Sequence, residues 1–236
     1  MRIPFGLILL CLSAITGEGS TLFYNGAPDL SQNGNFLDCN PCSARTNYVF
    51  DNFTVGAGGW NVSGVFGNYL MTGTSLPLPT TGYWEILQGI GAGVSGTLVA
   101  SGSGSLVTSA IGVPAGATPT WTYFQGSIAI SSLFLPQGNY WMVLAPYGGS
   151  NETFVLGTFG SGGVGAIIDG TSFAQGTIFP TMINVGTYMK PFTGYSNYDW
   201  SYGVTGAPTT PEPATSGLLV MGMAALAGRR WWRRRA

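Results

Sequence analysis

Ser127-Ile128-Ala129-Ile130-Ser131, within TWTYFQGSIAIS (120–131), alternates large apolar with small residues. Successive side chains of a strand point to opposite faces, so Ile128 and Ile130 go to a core and Ser127 and Ser131 to water. The same parity in Tyr83-Trp84-Glu85-Ile86-Leu87 sends Trp84 and Ile86 inward and Glu85 outward. Tyr140 to Leu144 is apolar on both parities and suits a central strand covered on both sides. Working outward, further short runs closed by Gly, Pro or Asn read as strands: TNYVFDNFTV (46–55), GWNVSGVFGNYL (59–70), GTLVASG (96–102), ETFVLGTF (152–159), VGAIIDG (164–170) and DWSYGVTG (199–206). No stretch of residues 21–206 sustains a 3.6-residue apolar period. The expectation is a mainly β, single-domain β-sandwich, jelly-roll-like, over residues 21–206.

Composition agrees. Only 7% of the 236 residues are charged while 38 are Gly, which does not suit a helical bundle with wet charged faces. Aromatics at 13% supply enough bulk for a core, which argues against disorder. There is no histidine, which removes Ser-His-Asp and Cys-His catalysis and His-ligated metals. Between residue 21 and Thr210 the basic residues are Arg45 and Lys190, against seven acids, Asp29, Asp38, Asp51, Glu85, Glu152, Asp169 and Asp199. An acidic body carries no electrostatic footprint for nucleic acid, so no nucleic-acid partner is expected.

The two ends differ from this body. MRIPFGLILLCLSAITGEGS (1–20) has Arg2, a short apolar stretch and then small residues, which is the pattern of a secretory signal peptide. At the other end Ala214 to Gly228 is an apolar run of 15 residues. As a helix it reaches about 22 Å, short of the roughly 30 Å hydrocarbon core. Trp231 and Trp232 at headgroup level and snorkelling arginines make up the difference. Five of the chain's eight Lys+Arg follow at once: Arg229, Arg230, Arg233, Arg234 and Arg235. Drawing each through the bilayer centre costs about 2.5–3.5 kcal/mol, and anionic lipid holds each back by about 1 kcal/mol. The run then reads as a single transmembrane helix with stop-transfer charge, its C-terminus cytoplasmic and the body outside.

Immediately before this run stands Pro211-Glu212-Pro213, after the flexible linker GAPTT (206–210). Residues 207–236 thus comprise a linker, the triplet 211–213, the apolar helix 214–228 and the Arg-rich end 229–236. This order resembles the PEP-CTERM sorting signal of Gram-negative envelope proteins. The resemblance implies that Pro211, Glu212 and Pro213 are read by exosortase, a membrane-embedded cysteine peptidase that removes such tails. It further implies transient anchoring in the inner membrane, then a place in the envelope, on the outer surface or in the extracellular matrix, in company with exopolysaccharide and biofilm. Trp84-Glu85-Ile86 followed by GTLVASG is similar, more loosely, to β-rich ectodomains carried ahead of such tails.

Other motifs are weaker. Gly91-Ala-Gly93-Val-Ser-Gly96 matches G-x-G-x-x-G by letter, but a strand-like segment follows where a dinucleotide site needs a helix; it reads as a loop. Cys39-Asn-Pro-Cys42 lacks the further Cys or His that zinc requires and reads as a local disulfide in an oxidising compartment. No metal and no cofactor is expected. The function that follows is a non-catalytic envelope or matrix protein. Two alternatives stand beside it. Exposed aromatics, with Trp60, Tyr83, Trp121, Tyr123 and Trp200 as candidates, would make a carbohydrate-binding platform. An acid pair among the seven carboxylates would make a glycan-cleaving enzyme.

Overall fold

The computed structural model describes residues 19–28, 35–42, 45–72, 77–113, 121–148, 151–185 and 199–209. The strands are β1 (Ser20–Tyr24), β2 (Asn35–Leu37), β3 (Cys39–Cys42), β4 (Arg45–Val55) and β5 (Trp60–Thr72). There follow β6 (Thr81–Gln88), β7 (Thr97–Ser105), β8 (Val107–Ala110), β9 (Trp121–Leu135) and β10 (Gly138–Pro146). The last are β11 (Thr153–Thr158), β12 (Phe173–Gly176), β13 (Ile183–Asn184), β14 (Asp199–Trp200) and β15 (Tyr202–Pro208). They form two antiparallel sheets, one built on β1-β15-β5-β11-β14 with β9, β8 and β2, the other β13-β12-β4-β10-β6-β7 with β3. The chain is mainly β, as its alternation implies, and the paired sheets are consistent with a β-sandwich.

The inward parities meet in one core. Val49 and Phe53 of β4, Ile86 of β6 and Leu144 of β10 belong to the same buried cluster as Val65 and Tyr69 of β5 and Ile128 of β9. Ile128 is opposite Val65 in the β5–β9 ladder, and both Ile128 and Ile130 are buried as their alternation requires. Each such aliphatic side chain contributes about 1.5–3 kcal/mol on burial. Strand β10 lies between β4 and β6, so Tyr140 to Leu144 is central and covered on both faces.

Trp84 is opposite Gly102 in the β6–β7 ladder. A Cβ at position 102 would stand 3.1 Å from the indole Nε1, so glycine there lets the ring lie against β7. On the larger sheet, β5 pairs with β15 along Trp60 to Gly67 and with β11 along Tyr69 to Met71. The split is bridged by Ser201, whose N–H donates to the Leu156 carbonyl (2.8 Å) and whose carbonyl accepts from Asn68 N–H (3.0 Å).

One expected strand is absent. VGAIIDG (164–170) is a loop tied to Tyr24 by reciprocal backbone bonds from Val164 (2.9 and 2.8 Å). Gly165 and Gly170 have φ of 60° and 69°, left-handed values that break an extended run.

The first and last strands are neighbours, with Ser20 opposite Gly206. The chain leaves β15 beside the β4–β5 turn, where Thr209 N–H donates to the Gly59 carbonyl at 3.1 Å. Among the described residues no helix is long and apolar enough to cross a membrane. The segments 1–18 and 210–236, with most of the signal peptide, the sorting triplet, the apolar helix and the arginines, lie outside the described residues.

Candidate functional site

The outer face of the smaller sheet carries side chains of the parity that avoids the core. They are Tyr48 and Phe50 on β4, Val143 and Ala145 on β10, and Tyr83, Glu85 and Leu87 on β6. Part of this face is roofed: Phe50, Leu87 and Val143 bury against Ile90, Phe173 and Met182 in a second apolar cluster. Next to that roof the face opens. Ala145, opposite Tyr83 and fully buried, is small enough for aromatic rings to meet above β10. Tyr48 and Tyr83 stack there with centroids 5.3 Å apart and planes at 29°.

A cleft of about 340 Å³ runs beside this stack, lined by Tyr48, Phe50, Glu85, Leu87, Gln175 and Pro180 among others. The Tyr83 hydroxyl donates to Glu85 Oε2 at 3.1 Å. Burial pushes the Glu85 carboxyl above its usual value, opposed by that hydrogen bond. Burial also raises the Tyr48 phenol, and neighbouring Tyr83 and Glu85 add to the effect, so both rings stay neutral donors at ordinary pH. Gln175 donates a long 3.4 Å bond to the Pro180 carbonyl, and the Ser103 and Tyr147 hydroxyls meet at 3.0 Å on the adjoining rim. The cleft therefore combines aromatic faces, one carboxyl and one amide, a set that suits a neutral, hydroxyl-rich ligand.

A different set of acids is fully buried. Asp51 accepts from Asn25 Nδ2 (2.8 Å), Trp200 N–H (2.7 Å) and Asn52 N–H (2.9 Å). Asp199 accepts from Ser172 Oγ (2.7 Å), Asp169 N–H (2.7 Å) and Gly170 N–H (3.1 Å). Asp38 accepts from the Tyr202 hydroxyl at 2.5 Å. Burial raises the pKa of all three, and the Asp199 charge raises Asp51 further. These carboxylates are saturated with main-chain and side-chain donors and knit β4, β14 and the 169–172 loop together.

The five candidate platform aromatics do not share a face. Trp200 and Tyr123 are 1% and 3% exposed, in the main core and in a cluster with Leu70 and Leu156, which removes them from any exposed platform. Trp121 packs on that same cluster, and Trp60 lies flat on Phe53 (6.0 Å, 11°) at the core's edge. Of the five, Tyr83 alone is near the cleft, stacked on its lining residue Tyr48. Tyr48 and Gln175 escaped the sequence reading because β12, β4 and, across β10, β6 are brought together only by the strand order.

Cys39 is buried in β3, with Cys39 and Cys42 opposite Asn47 and Arg45 of β4; the Cys42 side chain lies outside the described residues. Gly91 and Val94 close a reciprocal turn (3.0 and 2.9 Å) and β7 follows, so the G-x-G-x-x-G stretch is a loop. Among the described residues no group of three or more His, Cys, Asp or Glu is placed to hold a metal ion. No family model matches the chain, and no curated protein or solved structure matches it either.

Proposed function

We propose that this is an exported, non-catalytic envelope or matrix protein, a jelly-roll-like sandwich delivered by its signal peptide and sorted through its tail by an exosortase. The observation that carries the reading is the order Pro211-Glu212-Pro213, apolar run, five arginines. Support for a non-catalytic body comes from the cleft, where Glu85 is the single acid among the described lining residues, whereas glycoside hydrolysis by the common route uses two. The adjacency of Ser20 and Gly206 suits a body tethered at one end, with signal and tail leaving side by side. In the exported chain Cys39 and Cys42 are joined in a disulfide.

Intact mass of the mature protein from its native host tests this reading. The expected mass lacks both the first segment, to about residue 20, and the apolar, Arg-rich end, and is short by two hydrogens for the disulfide. A mature protein that keeps Ala214 to Ala236 would make the tail a permanent anchor and remove the sorting step. The second reading, a carbohydrate-binding surface module, is favoured by one observation, the open Tyr48–Tyr83 stack above Ala145.

A further inference from the structure

The cleft beside the Tyr48–Tyr83 stack has features that narrow its ligand. Tyr48 lines the cleft and Tyr83 stacks on it with centroids 5.3 Å apart, which makes an aromatic shelf beside the opening. The C–H face of a pyranose packs on such a shelf, and its hydroxyls need acceptors and donors at the edge. Glu85 supplies acceptor oxygens, and Gln175, whose amide makes a long bond to Pro180, can turn to a ligand. A volume of about 340 Å³ is at the small end of the roughly 300–1,000 Å³ of small-ligand sites. That fits one or two sugar units of a chain lying across the opening.

Charge narrows it further. The described residues carry six acids and one cation, Arg45. Arg45 is exposed and paired with Glu152 at 3.4 Å. A uronate or sulfated polymer would bring negative charge to Glu85 with no cation among the described residues that line the cleft. Position agrees as well. Tyr48 is near the start of β4, while the chain exits beside the turn that follows Val55 at its other end. Seven residues at about 3.3 Å each set the stack roughly 23 Å from that exit. The opening is thus carried at the end of the body away from the tail.

We propose that this cleft binds a neutral polysaccharide, with a pyranose ring against the Tyr48–Tyr83 shelf and its hydroxyls held by Glu85 and Gln175. The proposal rests on the exported reading only for where the ligand is met.

Affinity electrophoresis of the full-length protein, purified in detergent, tests it in gels holding hydroxyethyl cellulose, amylose, galactomannan or the acidic polymer alginate. Retardation by at least one neutral polymer is expected. Tyr83→Ala and Gln175→Ala should each weaken it about tenfold, and Val107→Ser, on the exposed edge of the other sheet, should leave it unchanged. If Tyr83→Ala does not fold, Gln175→Ala carries the test, because it removes no core contact. No retardation by any neutral polymer, stronger retardation by alginate, or equal binding in the cleft variants would overturn the proposal. Failure here leaves the mature mass untouched, and retention of the tail leaves binding untouched, so the two readings fail separately.

Discussion

Asp51 and Asp199, on β4 and β14, share one hydroxyl: Ser172 Oγ is 2.7 Å from Asp199 Oδ1 and 3.5 Å from Asp51 Oδ1. Among the described residues no Lys or Arg is a hydrogen-bond partner of either, and both carboxyls are raised above the ordinary aspartate value, chiefly by burial. The folded protein therefore holds protons that the unfolded chain releases. Their contribution is complete below the unfolded value of about 4 and is lost as pH rises through the folded values. Stability should consequently increase on mild acidification, with Tm higher at pH 5 than at pH 8. Asp51→Asn should lower Tm at both pH values, having lost an acceptor for the Asn52 or Trp200 N–H at a cost of about 1–3 kcal/mol. It should also shrink the difference between the two pH values. A Tm that climbs from pH 5 to pH 8 would count against the protonated pair.

Trp84 against Gly102 gives a prediction on packing. Beyond the Cβ, which already meets the indole at 3.1–3.2 Å, a valine adds two methyl groups that the ring must accommodate. Gly102→Val should destabilise by about 1–3 kcal/mol in chemical denaturation. Gly112→Ala meets nothing within 4 Å and should change stability little. Equal midpoints for the two variants would show that Trp84 is not held against β7.

These relationships mark how far the sequence could be read. Ile128/Ile130 and Trp84/Ile86 declared their faces because one face is core and the other is not. Asp51 did not. In VFDNF it occupies the inward parity between Val49 and Phe53, where a charge contradicts alternation until Asn25 and the Trp200 N–H are brought to it from distant parts of the chain. The burial of Trp200 and Tyr123 was hidden for a related reason. Composition shows that aromatics outnumber what one face needs, but only strand order shows that Trp200 faces inward while Tyr48 meets Tyr83 across β10. The 164–170 loop misled because its isoleucines look strand-like, while its conformation is set by glycines at positive φ. Nothing in the apolar pattern distinguishes those glycines from glycines in strands.

Charge placement at the chain's end gives the last prediction. Under the proposed export reading the body lies on one side of the membrane and five arginines hold the tail on the other, each opposed at the bilayer centre by about 2.5–3.5 kcal/mol. Replacing Arg229, Arg230, Arg233, Arg234 and Arg235 together by asparagine removes the charge without lengthening the 15-residue apolar run, which stays shorter than the hydrocarbon core. A C-terminal epitope on this variant should become digestible by protease added outside the inner membrane, whereas on the parent chain it should remain protected until the tail is removed. Replacing Arg229 and Arg230 alone leaves three arginines and should give intermediate protection. A fully protected epitope in the five-fold variant would mean that the apolar run halts export unaided. The arginines would then be free for a different role, such as contact with the processing peptidase. Loss of tail removal in the five-fold variant, with the epitope still protected, would identify that role.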